Sequence, residues 1–208
     1  MFPFAHLSIA EKYFGRLNND IKLGSFIPDF ISLEPNISIE DTHKLIKESD
    51  HTDFIRAWNL HIIVDEYTEE KYSYTKAPDN LKHDLGQYLA HIFIEAAVDH
   101  SIWNSGKYFE PPIYDEELIE KLEIVLKKDL TIVKPTLILF LSWDSESYFE
   151  NLVNSLLYIV GSHQHVLTKS QVKGFINDCV EVVPDYEIIL KETLQYLKQD
   201  KQRQILGK

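Results

Sequence analysis

YLAHIFIEAAVDH, residues 88–100, is apolar at most positions, is interrupted by His91, Glu95, Asp99 and His100, and contains neither glycine nor proline. On a helix, four residues advance about 6 Å and end about 40° from a full turn, so His91 and Glu95 project from one face. A second stretch, NLHIIVDEY at 59–67, repeats the arrangement with His61 and Asp65. Burying a carboxylate among Ile, Phe, Val and Ala costs roughly several kcal/mol unless something positive compensates it. A cation held between imidazole and carboxylate is the natural compensator.

Working outward, apolar positions recur at helical spacing in HLSIAEKYFGRL, predicting a first helix over about 5–18. Gly24, Pro28 and Pro35 in LGSFIPDFISLEPNI argue against a long helix over 23–37 and place Asp29 in an irregular segment. Ser38 to Asp41 resembles a capping box opening a helix through about Ser49, and Thr52 is positioned to cap the helix that carries His61 and Asp65. Pro78-Asp79-Asn80 introduces a helix to about Trp103, ended by Asn104-Ser105-Gly106. Helical patterns follow near 115–130, 134–142, 145–161, 168–181 and 185–203. Strand-like alternation is scarce and no repeat appears, so the expected architecture is all-α, an irregular multi-helix bundle. With 208 residues, 44% apolar, and no linker-like tract, the chain is expected to form one domain. Its metal-site half would cover about 1–105 and a helical remainder 106–208.

Thirty-three acids against 21 bases give a net charge of −12, which argues against an unaided grip on long nucleic acid or an anionic membrane. The single cysteine, Cys179, excludes an intrachain disulfide and a multi-thiolate zinc site, and reads as a small core residue. The N-terminal stretch lacks the basic and long apolar regions of a signal peptide. Apolar runs such as TLILFLSW are too short to span a bilayer, so the expected compartment is the cytoplasm.

In chain order, the polar residues set in apolar or turn context are His6, Asp29, His43, His61, Asp65, His83, His91 and Glu95. Imidazole and carboxylate donors without thiolates suit catalytic zinc or a mixed di-metal centre better than a closed structural site. Each residue also has an ordinary explanation: a solvated helix face for the two pairs, a helix-start contact for His6, an Asx turn for Asp29, a surface position for His43. Asp99 extends the His91, Glu95 line and is expected to orient a ligand from behind. His51 and His100 read as ordinary polar positions. His163 and His165 have a spacing that can bind metal, though a helix-ending turn explains them equally.

FAHLSIAEKY, LGSFIPDF, DTH, LHIIVDEY and YLAHIFIEAAVDH, taken in this order, resemble the zinc-dependent phospholipase C and single-strand nuclease superfamily over roughly residues 1–105. The resemblance implies an all-α fold that hydrolyses phosphoesters with two or three zinc ions, with manganese or another divalent metal as an alternative. It assigns one ion to Asp29, His43, His61 and Asp65, and a second to His83, His91 and Glu95. Asp65 would bridge toward a third ion at His6, which in secreted relatives also takes the processed N-terminal amine; here five residues precede His6. On a continuous helix from residue 80, His83 and His91 would lie about 12 Å apart along the axis, so joint ligation requires the helix to begin near Asp84.

The resulting expectation is a zinc-dependent phosphoester hydrolase acting on a small phosphoester or a phospholipid headgroup, with Asp29 or a nearby carboxylate as base. Two alternatives accompany it. One is a metal-stabilised helical protein that binds a ligand or partner without turnover, and the other is hydrolysis of an amide or carboxyl ester.

Overall fold

Why so many ionisable groups end up inside this protein follows from two helices whose central turns are buried on every side. The computed structural model describes residues 3–31, 37–47, 52–73, 76–113, 116–128 and 147–201, and among them every regular element is a helix. α1 spans Pro3–Phe14, α2 Asn19–Ile31, α3 Ile39–Thr42 and α4 Asp53–Thr68, prolonged by a π-helical turn over Glu69–Ser73. α5 spans Asp79–Asn104, α6 Glu116–Leu126, α7 Tyr148–Ser162, α8 Lys169–Val180 and α9 Tyr186–Tyr196, the last continuing as a π-helical turn over Leu197–Lys201. The all-α expectation holds. The pattern expected over 134–142 lies outside the described residues, as do His51, Asp115 and Trp143.

Every residue from Ala57 to Asp65 in α4 and from Leu89 to His100 in α5 is buried. A helix buried on all sides belongs at the centre of its bundle, so whatever polar groups it carries must find partners there. α1, α2 and α9 pack on α4 and α3 packs on α2, while α1, α7, α8 and α9 pack on α5. Trp58, Phe4, Phe26, Phe54 and Phe93 are fully buried between them, each contributing about 1.5–3 kcal/mol of apolar burial.

Three boundaries differ from the sequence reading. α1 starts at Pro3 and stops before Gly15, whose φ of +70° ends the helix with its N–H on Glu11 O at 2.9 Å. The segment expected to be irregular over 23–37 is instead helical through Ile31, with Pro28 and Asp29 inside α2. Tertiary packing overrides the local penalty at Pro28, because Ile21, Phe26, Ile27 and Ile31 are all buried on that helix. The helix expected to reach Ser49 lasts only one turn. Its capping box is formed by Ser38 and Asp41 as expected, but His43 is its C-cap and residues 43–47 are not helical.

Gly24 sets how closely α2 approaches α4. A Cβ there would lie 2.3 Å from Phe54 O and 2.9 Å from Ala57 Cβ, and a backbone carbonyl has little freedom to move aside. Gly24→Ala is therefore expected to push α2 away from α4, lowering stability by about 1–3 kcal/mol and shifting Asp29. Urea unfolding of the two proteins side by side checks this. An unchanged midpoint would mean that the two helices are not this close.

Candidate metal centre

α4 presents His61 and Asp65, and the π-helical turn that prolongs it presents Glu69, at successive four-residue steps, and α5 presents His91, Glu95 and Asp99 in the same manner. α2 adds Asp29, the end of α3 adds His43, and the first turns of α1 add His6. Two donor groups result: Asp29, His43, His61 and Asp65 in one, Glu69, His91 and Glu95 in the other, with one ligand atom from each member of a group within 4.8 Å of the rest. Each group can hold a metal ion.

In the first group, Asp65 is the hub. Its carboxylate oxygens lie 3.0 Å from His61 Nε2, 3.1 Å from His6 Nε2 and 3.6 Å from His43 Nε2. Asp29 lies 3.3 Å from both His43 Nε2 and His61 Nε2, and 4.0 Å from His6 Nε2. The His6 and His61 rings stack at 4.0 Å, so His6 joins the group from a separate helix.

The far side of two imidazoles fixes their tautomers. His61 Nδ1 is 2.8 Å from Ser25 O, and since a carbonyl only accepts, Nδ1 carries the hydrogen. Thr42 Oγ1 donates to Ile39 O, leaving it an acceptor for His43 Nδ1 at 2.8 Å. In the neutral form, both Nε2 atoms therefore present lone pairs toward Asp29 and Asp65. Lone pairs facing carboxylates repel unless a proton or a cation lies between them. Nε2 of His61 and of His6 is moreover buried without a well-directed hydrogen bond, although carboxylate oxygens stand close by.

Electrostatics agree with this arrangement. Burial alone would lower the pKa of His61, but Asp65 and Asp29 outweigh it and hold the ring up to about 10. His43 is desolvated too, yet the same two carboxylates raise it to about 9. His6 behaves differently: burial, helped by the charge on His61, lowers it to about 4. Burial would raise Asp29 and Asp65, but surrounding positive charge, including that of His61, keeps both well below the usual carboxylate range.

In the second group, His91 Nε2 lies 3.3 Å from Glu95 Oε1 and 3.5 Å from Glu69 Oε1. Burial pushes the Glu95 carboxyl up. Glu69 begins the π-helical turn that widens the end of α4, and that turn is tied down on its other side. Lys71 Nζ reaches Glu192 Oε2 at 2.7 Å, Tyr72 OH donates to the same carboxylate, and Tyr67 stacks on Tyr196 at 4.4 Å. α9 thus fixes the turn that delivers Glu69.

Six of the eight residues singled out in the sequence lie in these groups, His6 adjoins the first, and His83 belongs to neither. Its side chain is 89% exposed, and its Nδ1 is 3.1 Å from the neighbouring Asp84. The cause is Gly86, whose φ of 81° and ψ of 164° break α5 and separate the turn bearing His83 from the one bearing His91. Glu69 occupies the second group in its stead. It went unnoticed in the sequence although it continues the His61, Asp65 spacing by four more residues.

Asp99 acts behind the donors. Its carboxylate accepts N–H bonds from Phe4 at 2.9 Å and Ala5 at 2.8 Å and a hydroxyl bond from Tyr148 at 2.7 Å. It therefore caps the start of α1 from 95 residues away and sets the position of His6. Burial raises its pKa to about 7, against the pull of those three donors. His100, read as an ordinary polar position, is buried and stacked on Phe149 at 4.3 Å. Cys179 is buried, as expected of a core residue.

No described helix is long and apolar enough to cross a membrane. No family model, curated protein or solved structure matches the chain.

Proposed function

We propose that the protein is a metal-dependent phosphoester hydrolase, in keeping with the resemblance of its first 105 residues to the zinc-dependent phospholipase C and single-strand nuclease superfamily. The observation that carries this reading is the pair of Nδ1–H tautomers at His61 and His43, which aim two Nε2 lone pairs at the space shared with Asp29 and Asp65. The donor set fits a divalent cation: imidazole nitrogens and carboxylate oxygens, preoriented and without a thiolate.

Asp29, His43, His61 and Asp65 would hold one ion, with His6 adjoining, and Glu69, His91 and Glu95 a second. Divalent ions at such sites offset charge on phosphoryl oxygens and acidify water. The protein supplies the remaining roles. Ser25 O and Thr42 Oγ1 keep His61 and His43 in the ligating tautomer, and Asp99 holds α1 so that His6 stays against Asp65. Asp29 has a side chain 25% exposed against 6% for Asp65, so it is the carboxylate of the first group that faces solvent and can take a proton from an attacking water.

One observation favours a second reading, a metal-stabilised protein without turnover. The cavity beside Glu95, lined by Thr68, Tyr72 and Ile189, has a volume of about 10 Å³, so on that side of the second group there is room for a water but not for a substrate. Elemental analysis followed by assay with bis(p-nitrophenyl) phosphate, with zinc, manganese or cobalt added, separates the two. Bound metal with hydrolysis lost in Asp29→Asn is the expected outcome. Bound metal without hydrolysis under any of the three ions supports the second reading, and absence of metal removes both.

A further inference from the structure

The two donor groups differ in chemistry, and the difference predicts different ions. The first brings His43 and His61 to Asp29 and Asp65, with His6 adjoining as a third imidazole; the second has one imidazole, His91, and two carboxylates, Glu69 and Glu95. The imidazoles of the first group are also pinned from behind. Ser25 O holds His61, Thr42 Oγ1 holds His43, and His6 stacks on His61, so the first group has little freedom to enlarge. In the second, Glu69 sits on a π-helical turn and its side chain is 31% exposed, leaving room for water to complete a coordination shell.

We propose that the centre is heterometallic by construction, with Asp29, His43, His61 and Asp65 selecting zinc and Glu69, His91 and Glu95 selecting a harder, six-coordinate divalent ion of the manganese class. Zinc is satisfied by four nitrogen and oxygen donors in a compact arrangement. Manganese and similar ions favour carboxylate and water oxygens in a larger shell, which three protein donors and solvent supply. Zinc binds most nitrogen and oxygen sites more tightly than manganese, so the selectivity is a ratio: the preference for zinc should be much weaker where one imidazole is present than where two or three are. This inference rests on the metal-centre reading above, and its test separates the two.

Metal-free protein is equilibrated with one molar equivalent of zinc and an excess of manganese, with zinc measured by elemental analysis and protein-bound manganese by electron paramagnetic resonance. The expected result is one zinc and one manganese per chain, with a zinc-over-manganese preference at least about tenfold weaker at the second group. Glu69→Gln should abolish the manganese signal and leave the zinc, whereas His61→Ala should abolish the zinc. Glu69→His should raise the zinc preference of the second group toward that of the first. Equal preferences at both groups, or manganese indifferent to Glu69→Gln, would overturn the proposal while leaving a metal centre in place. Failure of the unaltered protein to bind either ion would overturn the metal-centre reading itself. The competition on the unaltered chain needs no variant to fold.

Discussion

Asp65→Asn is expected to abolish metal retention at the first donor group and to lower stability by about 3–5 kcal/mol, the magnitude for removing one partner from a buried charged network. Asp65 stands within 3.6 Å of three imidazoles on three different elements, and its side chain is only 6% exposed. Asparagine keeps the shape but loses the charge, and its amide must turn either an N–H₂ donor or a weak acceptor toward each ring. His61, now beside a neutral group, loses the larger of the two charges that hold it protonated at neutral pH. Two consequences are separable. Metal content should fall while metal-free Asp65→Asn also melts lower than the metal-free parent, because the network supports the bundle with or without an ion. His83→Ala is the matched control, being a histidine in the same region with an exposed ring. His100→Ala would serve poorly, since it removes a ring stacked against both Phe149 and Trp103. Equal losses in Asp65→Asn and His83→Ala would show that the cluster is not a functional unit.

What could be read from the sequence was the part governed by helical spacing. His61 with Asp65 and His91 with Glu95 lie in uninterrupted apolar runs, so their common face and their burial follow from the 3.6-residue period alone. The helical state of α2 could not be read, because Pro28 and Gly24 are locally unfavourable and become acceptable only when α4 is there to pack against. That packing is also what brings Asp29 to His61, a contact between residues 32 positions apart. His83 depended on one dihedral: with Gly86 helical it would stand about two turns from His91, and with Gly86 at positive φ it turns outward. Glu69 carried a visible signal, another acid four residues on, but its meeting with His91 required the π-helical turn and the Lys71 and Tyr72 contacts to Glu192 that fix it. Asp99 was legible as a residue behind the donors, while its actual partners, two amides at the start of α1 and the Tyr148 hydroxyl, were not. The common element is that i,i+4 relations are local, whereas the partners that complete each group come from distant segments.

The metal-free protein is expected to lose stability steadily from pH 7 to pH 9, whereas metal should stabilise it progressively more over the same range. The sign follows from His43 and His61, whose folded-state pKa values of about 9 and 10 lie above the ordinary 6.5. A histidine with a raised pKa binds more protons folded than unfolded, so its contribution is complete below pH 6.5 and fades as pH rises toward the folded value. Each such proton changes stability by at most about 1.4 kcal/mol per pH unit. Below pH 7 the slope is mixed, because Asp99, raised to about 7, acts in the same direction while His6, lowered to about 4, acts against it. Above pH 7 His6 has finished titrating, and Asp99, half-titrated at 7, finishes by about pH 8 in the same direction as the two histidines, so the slope stays downward until Cys179, raised to about 12, adds to it near 9. A bound ion takes the place of these protons, so loading at neutral pH should release up to two of them, and the apparent affinity should climb until His43 and His61 are already deprotonated. Melting curves at pH 7, 8 and 9, with chelator and with added zinc, would show a gap that widens at each step. Parallel curves would mean that His43 and His61 do not carry protons between Asp29 and Asp65 in the metal-free state, and that no competition between proton and cation takes place there.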